Sequence, residues 1–370
     1  MANLTIRPAN ETVNEDRPAD GRNGACVQEP LIARLPKVQL HCHLEGTVRA
    51  ATFRELAAQY GVQSVRASGP LEDTYAFATF GDFLLTFAEV CKTLQQPEDY
   101  ARVAREYAHD AVAQNVRYAE IFISPSVWTF FHADLDVHAC LRAMRDALDA
   151  EESRTGLHVR FICDLTRNFG TERAFETARI AVALAEANLG VIGVGLGGDE
   201  ANFPASLFVE PFDFARASGL HAVAHAGEAA GARSVRDAIE LLGAQRIGHG
   251  IRALEEDVVV DLLAKRGIAL ECAPTSNVRT GVVPADAEHP LVLLDERGVI
   301  VTIDADDPAL FSTSLARELQ LVADMAGAHD VVRFLRNAVD VSFADAQRKA
   351  ALHAELDAAL ESTTQRRIHL

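Results

Sequence analysis

From Leu31 onward, short apolar runs alternate with longer stretches in which apolar residues recur at helical spacing. Eight of the short runs read as strands: KVQLHCH (37–43), RYAEIFIS (117–124), HVRFICDL (158–165), GVIGVGL (190–196), HAVAHAG (221–227), RIGHG (246–250), IALECAP (268–274) and VIVTID (299–304). Several are apolar on both faces, as a parallel sheet covered by helices requires. Segments between them carry helix signals. RSVRDAIELLG (233–243) and LEEDVVVDLLAKRG (254–267) place apolar residues three and four apart and end on glycine, a common helix stop. Eight such β/α units predict an α/β fold, a closed (β/α)8 TIM-type barrel.

The connection from the first strand to the second is too long for a single crossover helix, so extra helices are expected there and again after residue 314, where they close the barrel. In YAFATFGDFLLTF (75–87), Phe77, Phe80, Phe83 and Phe87 recur at helical spacing. This predicts a packed aromatic helix face, with a helical lid over the barrel mouth as the alternative; the two are compatible. Residues 1–30 are polar and read as a disordered tail; 31–370 read as one barrel domain.

Composition narrows the partners. The chain has 370 residues, 49% of them hydrophobic, and a formal net charge of -18. That core is large enough for one barrel, and the charge repels phosphate backbones. The expected partner is therefore a small molecule, with no nucleic acid and no membrane; oligomeric state is left open. Cys26, Cys42, Cys91, Cys140, Cys163 and Cys272 form no CxxC pair. They read as reduced thiols in a cytoplasmic protein. No signal-peptide h-region and no run of about twenty apolar residues is present.

The chemistry gathers at strand ends. His41 and His43, two apart in a strand, project to one face at the end of the first run. His225 ends the fifth strand, with Glu228 three residues on. His249 ends the sixth, and Asp306 and Asp307 follow the eighth. In a β/α barrel all of these share the catalytic rim. His41, His43, His225 and Asp306 are a donor set suited to Zn2+. The fourth strand ends in GLGGDE without a lysine that could bridge a second ion, so one metal per chain is expected.

Six motifs in order, PKVQLHCHLEGT (36–47), GLGGDE (195–200), HAGE (225–228), RIGHG (246–250), PTSN (274–277) and DADDP (304–308), resemble those of the adenosine deaminase family of amidohydrolase barrels. The resemblance implies zinc on His41, His43, His225 and Asp306. It implies Glu228 at purine N1, His249 beside the water that attacks, Asp307 at N7 and the Gly198 backbone N–H at N3. The implied reaction is hydrolytic deamination of a 6-aminopurine nucleoside, adenosine or deoxyadenosine, with Glu228, His249 and Asp306 catalytic. Adenine, methylthioadenosine and aminodeoxyfutalosine are alternative substrates, and a non-catalytic purine-binding barrel is the alternative of another class.

Three departures bear on substrate. Glu45 stands where many adenosine deaminases carry an aspartate on the ribose 5′-hydroxyl, and the HLEG form resembles relatives acting on adenine or modified nucleosides. RIGHG and PTSN are more similar to the nucleoside deaminases. Asp304 adds a charge beside the metal aspartate, and Arg279 is a candidate partner for an acidic 5′ substituent.

Overall fold

The computed structural model describes residues 29–368. Residues 1–28 of the expected tail, with Cys26, lie outside them. Eight strands pair in parallel in sequence order: β1 Lys37–Gln39, β2 Val116–Ile123, β3 His158–Asp164, β4 Val191–Gly195, β5 His221–Ala226, β6 Arg246–His249, β7 Ala269–Cys272 and β8 Val301–Ile303. All eight predicted strands are present; β1 ends four residues early. There the carboxylate of Asp304 accepts the Leu40 and His41 N–H groups at 2.6 and 3.0 Å in place of a strand neighbour. The ring then closes through a parallel bridge between Cys42 and Asp306. In that bridge His43 N–H bonds the Asp306 carbonyl, and Asp306 N–H the His41 carbonyl, both at 3.0 Å.

The long first connection holds helices Ala50–Tyr60, Phe80–Thr93 and Pro97–Ala113. Phe77 precedes its helix rather than joining it, yet packs 5.7 Å from Phe83, which in turn stacks on Phe311 at 4.9 Å. The aromatic face is thus both packed and at the barrel mouth. Helices Leu315–Ala326, Ala328–Val341 and Ala346–Ile368 complete the outer layer. The five cysteines among the described residues are buried and unpaired. No described helix is long and apolar enough to cross a membrane.

Polar groups also fill the barrel axis. Arg246, 1% exposed, donates to Glu120 and Glu271, both at 2.5 Å, and its guanidinium lies 3.8 Å from the Phe343 ring. Phe343 stacks on His221 at 3.8 Å and donates its backbone N–H to Glu120 at 2.6 Å. Two carboxylates around one guanidinium satisfy charges that would be costly to bury alone. This interior layer is the floor on which the site stands.

Candidate active site

Backbone geometry turns the predicted residues inward. His249 and Asp306 have φ of 61° and 59°. This left-handed region costs a non-glycine residue about 1–3 kcal/mol and concentrates at functional sites. It breaks the strand ladder where β6 and the chain after β8 reach the rim. Gly46 leaves room for Asp307, because a Cβ there would overlap the Asp307 carboxylate.

His41, His43, His225, His249 and Asp306 converge and are all buried. His43 Nε2 lies 3.1 Å from His225 Nε2 and 3.5 Å from Asp306 Oδ1, and His41 Nε2 is 3.4 Å from the same oxygen. By proximity alone, His41, His225, His249 and Asp306 form one candidate metal group, and His43, Asp306 and Asp307 another. Protonation separates them. Burial drives His43 down to about 3, His249 to about 4, and His225 well below the ordinary histidine range. Neutral imidazoles have one lone pair each, so the tautomer decides what can bind a cation.

For His249 the tautomer follows from a chain with a fixed end. Leu291 N–H can only donate, and it donates to His289 Nδ1 at 3.2 Å. His289 Nε2 therefore carries the proton and donates to Asn277 Oδ1 at 3.1 Å. The Asn277 amide then donates to His249 Nδ1, also at 3.1 Å. This leaves the His249 proton on Nε2, aimed at Glu228 Oε2 at 3.6 Å and Asp306 Oδ2 at 3.9 Å. His249 is a donor into the site. Its lone pair is already used.

His41 is the opposite case. Its Nδ1–H donates to Glu271 Oε2 at 3.0 Å, so its lone pair sits on Nε2. That atom is buried without a hydrogen-bond partner among the described residues. It faces a carboxylate oxygen across 3.4 Å. A cation between them resolves two opposed lone pairs. Burial works against charge on His41, but the bonds to Asp306 and Glu271 outweigh it and raise its pKa, so a proton holds Nε2 until a cation takes its place. Burial likewise opposes ionisation of Asp306, and His41 with its neighbours reverses the balance and holds it ionised. Imidazole lone pairs around an ionised carboxylate fit a divalent cation of zinc type.

A cavity of about 430 Å3 opens above this cluster, lined by His43, His225, Glu228, His249, Asp306, Asp307 and Gly198 at its polar end and by Phe80, Leu84, Phe130, Phe131 and Phe169 farther out. Burial, then the charges of Asp306 and Glu200, push Glu228 well above the usual carboxylate range. Burial and Asp306 do the same to Asp307, whose Oδ1 has no partner among the described residues. Both shifts favour the protonated form, which can donate.

Three residues singled out in the sequence lie outside the cavity lining. Glu45 does not line the cavity and is 0% exposed. The short turn Glu45–Thr47 directs its Oε1 to the Ser124 N–H at 2.8 Å and the Trp128 indole N–H at 2.6 Å. It braces the chain after β2. Arg279 lies 5.1 Å over the Phe77 ring, outside the cavity, where cation–π contact holds it. Asp304 faces the β1 backbone and Thr302, not the site.

Sequence reading missed the residues that orient these groups. Ser276 donates to Asp306 Oδ2 at 2.6 Å, so PTSN supplies partners to two site residues at once. Glu200 accepts N–H groups of Gly227, Glu228, Ala229 and Ala230 at 2.6–3.1 Å and fixes the loop that presents Glu228. Their signals were the motifs themselves, PTSN and GLGGDE. Glu271 carries no such signal.

Comparison with known proteins agrees with this geometry. The family model described as adenosine deaminase matches residues 36–359. An adenine deaminase of Agrobacterium fabrum is 35% identical over 332 residues, covering 88% of this chain and 99% of its own. An aminodeoxyfutalosine deaminase of Streptomyces avermitilis is 36% identical over 329 residues, covering 88% and 91%. Among solved structures, a Burkholderia ambifaria amidohydrolase with bound Zn superposes with a TM-score of 0.81 at 28% identity, covering 91% of this chain and 94% of that one. A buried His/Asp metal cluster on the rim of an eight-stranded barrel, and a match across almost all of its length, lead to one conclusion: the chain belongs to the adenosine deaminase family, enzymes that hydrolyse a C–N bond of a purine.

Proposed function

We propose that the chain deaminates a neutral 6-aminopurine nucleoside, adenosine or deoxyadenosine, releasing ammonia, with one Zn2+ held by His41, His43, His225 and Asp306. The observation that carries the reading is the row of donors around the cavity. A purine ring offers acceptors at N1, N3 and N7. Neutral Glu228 meets N1, the Gly198 N–H meets N3, and neutral Asp307 meets N7, where an ionised carboxylate would repel a lone pair. Held by these four residues, zinc would supply a hydrolytic nucleophile at neutral pH by lowering the pKa of water toward about 7.

The chain's own groups do the rest. Glu228 gives its proton to N1, which withdraws electron density from C6 and makes that carbon the electrophile. His249 Nε2–H orients the attacking oxygen and stabilises charge that builds on it. Asp306 Oδ2, fixed by Ser276, faces the same point, takes up the proton released there and passes it to the 6-amino nitrogen; the C6–N bond breaks, ammonia leaves, and the C6 hydroxyl proton restores Glu228 as the carbonyl forms. The outer phenylalanines exclude bulk water, which strengthens each of these interactions. The buried thiols fit a cytoplasmic setting.

The relatives favour a second reading, free adenine, and a third, a 5′-carboxylated nucleoside. Ammonia release by the zinc-loaded protein with adenosine, adenine, methylthioadenosine and aminodeoxyfutalosine in parallel separates them. Preference for adenosine supports the proposal. Preference for adenine or for the carboxylated nucleoside replaces it, and no ammonia from any of them removes the deaminase assignment.

A further inference from the structure

Four carboxylates line the cavity: Asp164, Glu228, Asp306 and Asp307. The proposed chemistry uses three. Asp164, the last residue of β3, has no part in it, yet it is 4% exposed, and although the Gly197 backbone N–H acts on its carboxyl, its Oδ1 has no well-aligned hydrogen-bond partner among the described residues. Its other oxygen is held firmly. Oδ2 accepts the Thr166 N–H at 3.2 Å and the Thr166 hydroxyl at 3.0 Å, and Ser126 in turn bonds Thr166 Oγ1 at 2.9 Å. A side chain fixed at one oxygen and bare at the other, at a cavity wall, is a half-finished hydrogen-bond pair.

Its neighbours say which part of a ligand it meets. A Cβ on Gly197 would stand 3.1 and 3.2 Å from the two Asp164 oxygens, so glycine there keeps the carboxylate open. The next residue, Gly198, is the one assigned to purine N3. In a purine nucleoside, N3 and the sugar-bearing N9 flank the same ring carbon, so a group beside the N3 contact faces the ribose. No arginine or lysine lines the cavity among the described residues. A phosphate or carboxylate on the substrate would find no cationic side chain there, whereas hydroxyls would find an acceptor. We propose that Asp164 is a specificity-determining residue that accepts hydrogen bonds from the ribose 2′- and 3′-hydroxyls. It selects a neutral ribonucleoside over the free base and over nucleosides with an anionic 5′ group. This rests on the 6-aminopurine reading above.

The test is kcat/KM of the zinc-loaded full chain and of Asp164→Ala and Asp164→Asn, with adenosine, 2′-deoxyadenosine, 3′-deoxyadenosine, adenine and AMP. Expected is a loss of roughly 10- to 100-fold on adenosine in Asp164→Ala, the scale of one or two charge-assisted hydrogen bonds. Each deoxynucleoside, which keeps one of the two bonds, should lose less than adenosine does, and adenine, which has neither, should change less than about twofold. Asp164→Asn keeps the shape, guards against a misfolded alanine variant, and should narrow the gap between AMP and adenosine. An equal loss on every substrate, adenine included, would make Asp164 structural and overturn the proposal. So would wild-type turnover of AMP or adenine as fast as adenosine. If the wild type releases no ammonia from any of them, the deaminase reading fails separately. Calorimetric binding of adenosine against 2′- and 3′-deoxyadenosine to wild type and Asp164→Ala then decides the contact, by the same comparison.

Discussion

Asn277 lies outside the cavity lining, yet its hydrogen bond to His249 sets where that imidazole holds its proton. Its amide is what keeps the His249 proton on Nε2. Asn277, His249 and His289 are 0, 1 and 7% exposed, so water does not replace a lost partner. Asn277→Ala leaves His249 Nδ1 and His289 Nε2 unsatisfied. Stranding a buried polar atom costs about 1–3 kcal/mol, and moving the His249 proton to Nδ1 no longer meets a competing donor. With the site tautomer disfavoured by that much, kcat should fall by about 5- to 150-fold at about 1.4 kcal/mol per factor of ten. Asn277→Asp is the sharper case. It is nearly isosteric, but its carboxylate accepts instead of donating, which pulls the His249 proton to Nδ1. A lone pair on Nε2 would then face Glu228 Oε2 at 3.6 Å and Asp306 Oδ2 at 3.9 Å. Asn277→Asp should therefore be the slower of the two, despite smaller loss of packing. The assay is ammonia release under saturating substrate, with zinc per chain measured on the same samples. Asp at 277 within twofold of wild type, or both variants failing only in proportion to lost zinc, would refute the tautomer assignment.

The same protonation logic predicts metal content. His43→Ala should bind zinc at least about tenfold more weakly, while His249→Ala keeps it and loses turnover; the reverse, read by elemental analysis, would exchange their roles. Glu271→Gln, which disturbs the His41 Nδ1 acceptor, should weaken zinc about 10- to 100-fold with little change in kcat per bound ion, checked by competition with a chelator. For Glu45, burial lifts the pKa from 4.5 to about 7 against its bonds to Trp128 and Ser124. Below pH 4.5 both folded and unfolded forms are protonated and it has no effect. Between there and about pH 7 the unfolded chain loses the proton first, so stability falls as pH rises, reaching a cost of about 3 kcal/mol above that window. Glu45→Gln should therefore match wild type near pH 4 and exceed it at pH 8 in urea unfolding; a difference that does not change with pH would contradict this.

What was legible in the sequence, and what was not, divides along one physical line. Strands and metal-site histidines announce themselves locally. Alternation and apolar runs mark the eight strands, and HxH, HAGE and RIGHG put chemistry at their ends, because a group that meets substrate must sit at the rim. The side chains that set protonation are scattered instead. Glu271 reaches His41 across 230 positions, and Glu120 reaches Arg246 across 126. Only strand register brings them together, and each looks in sequence like any acid in a β-rich run. Glu45 is a related case. Its position in HLEG fixes its place in the chain, but the turn at 45–47 and the Trp128 indole decide where the carboxylate points. Asp164 was passed over because a lone aspartate at a strand end has no spacing partner; its meaning comes from the bare oxygen and from the glycine beside it. A motif thus names the atoms that react. Their charge states, on which a hydrolytic site at neutral pH depends, are set by residues whose only common feature is the barrel interior.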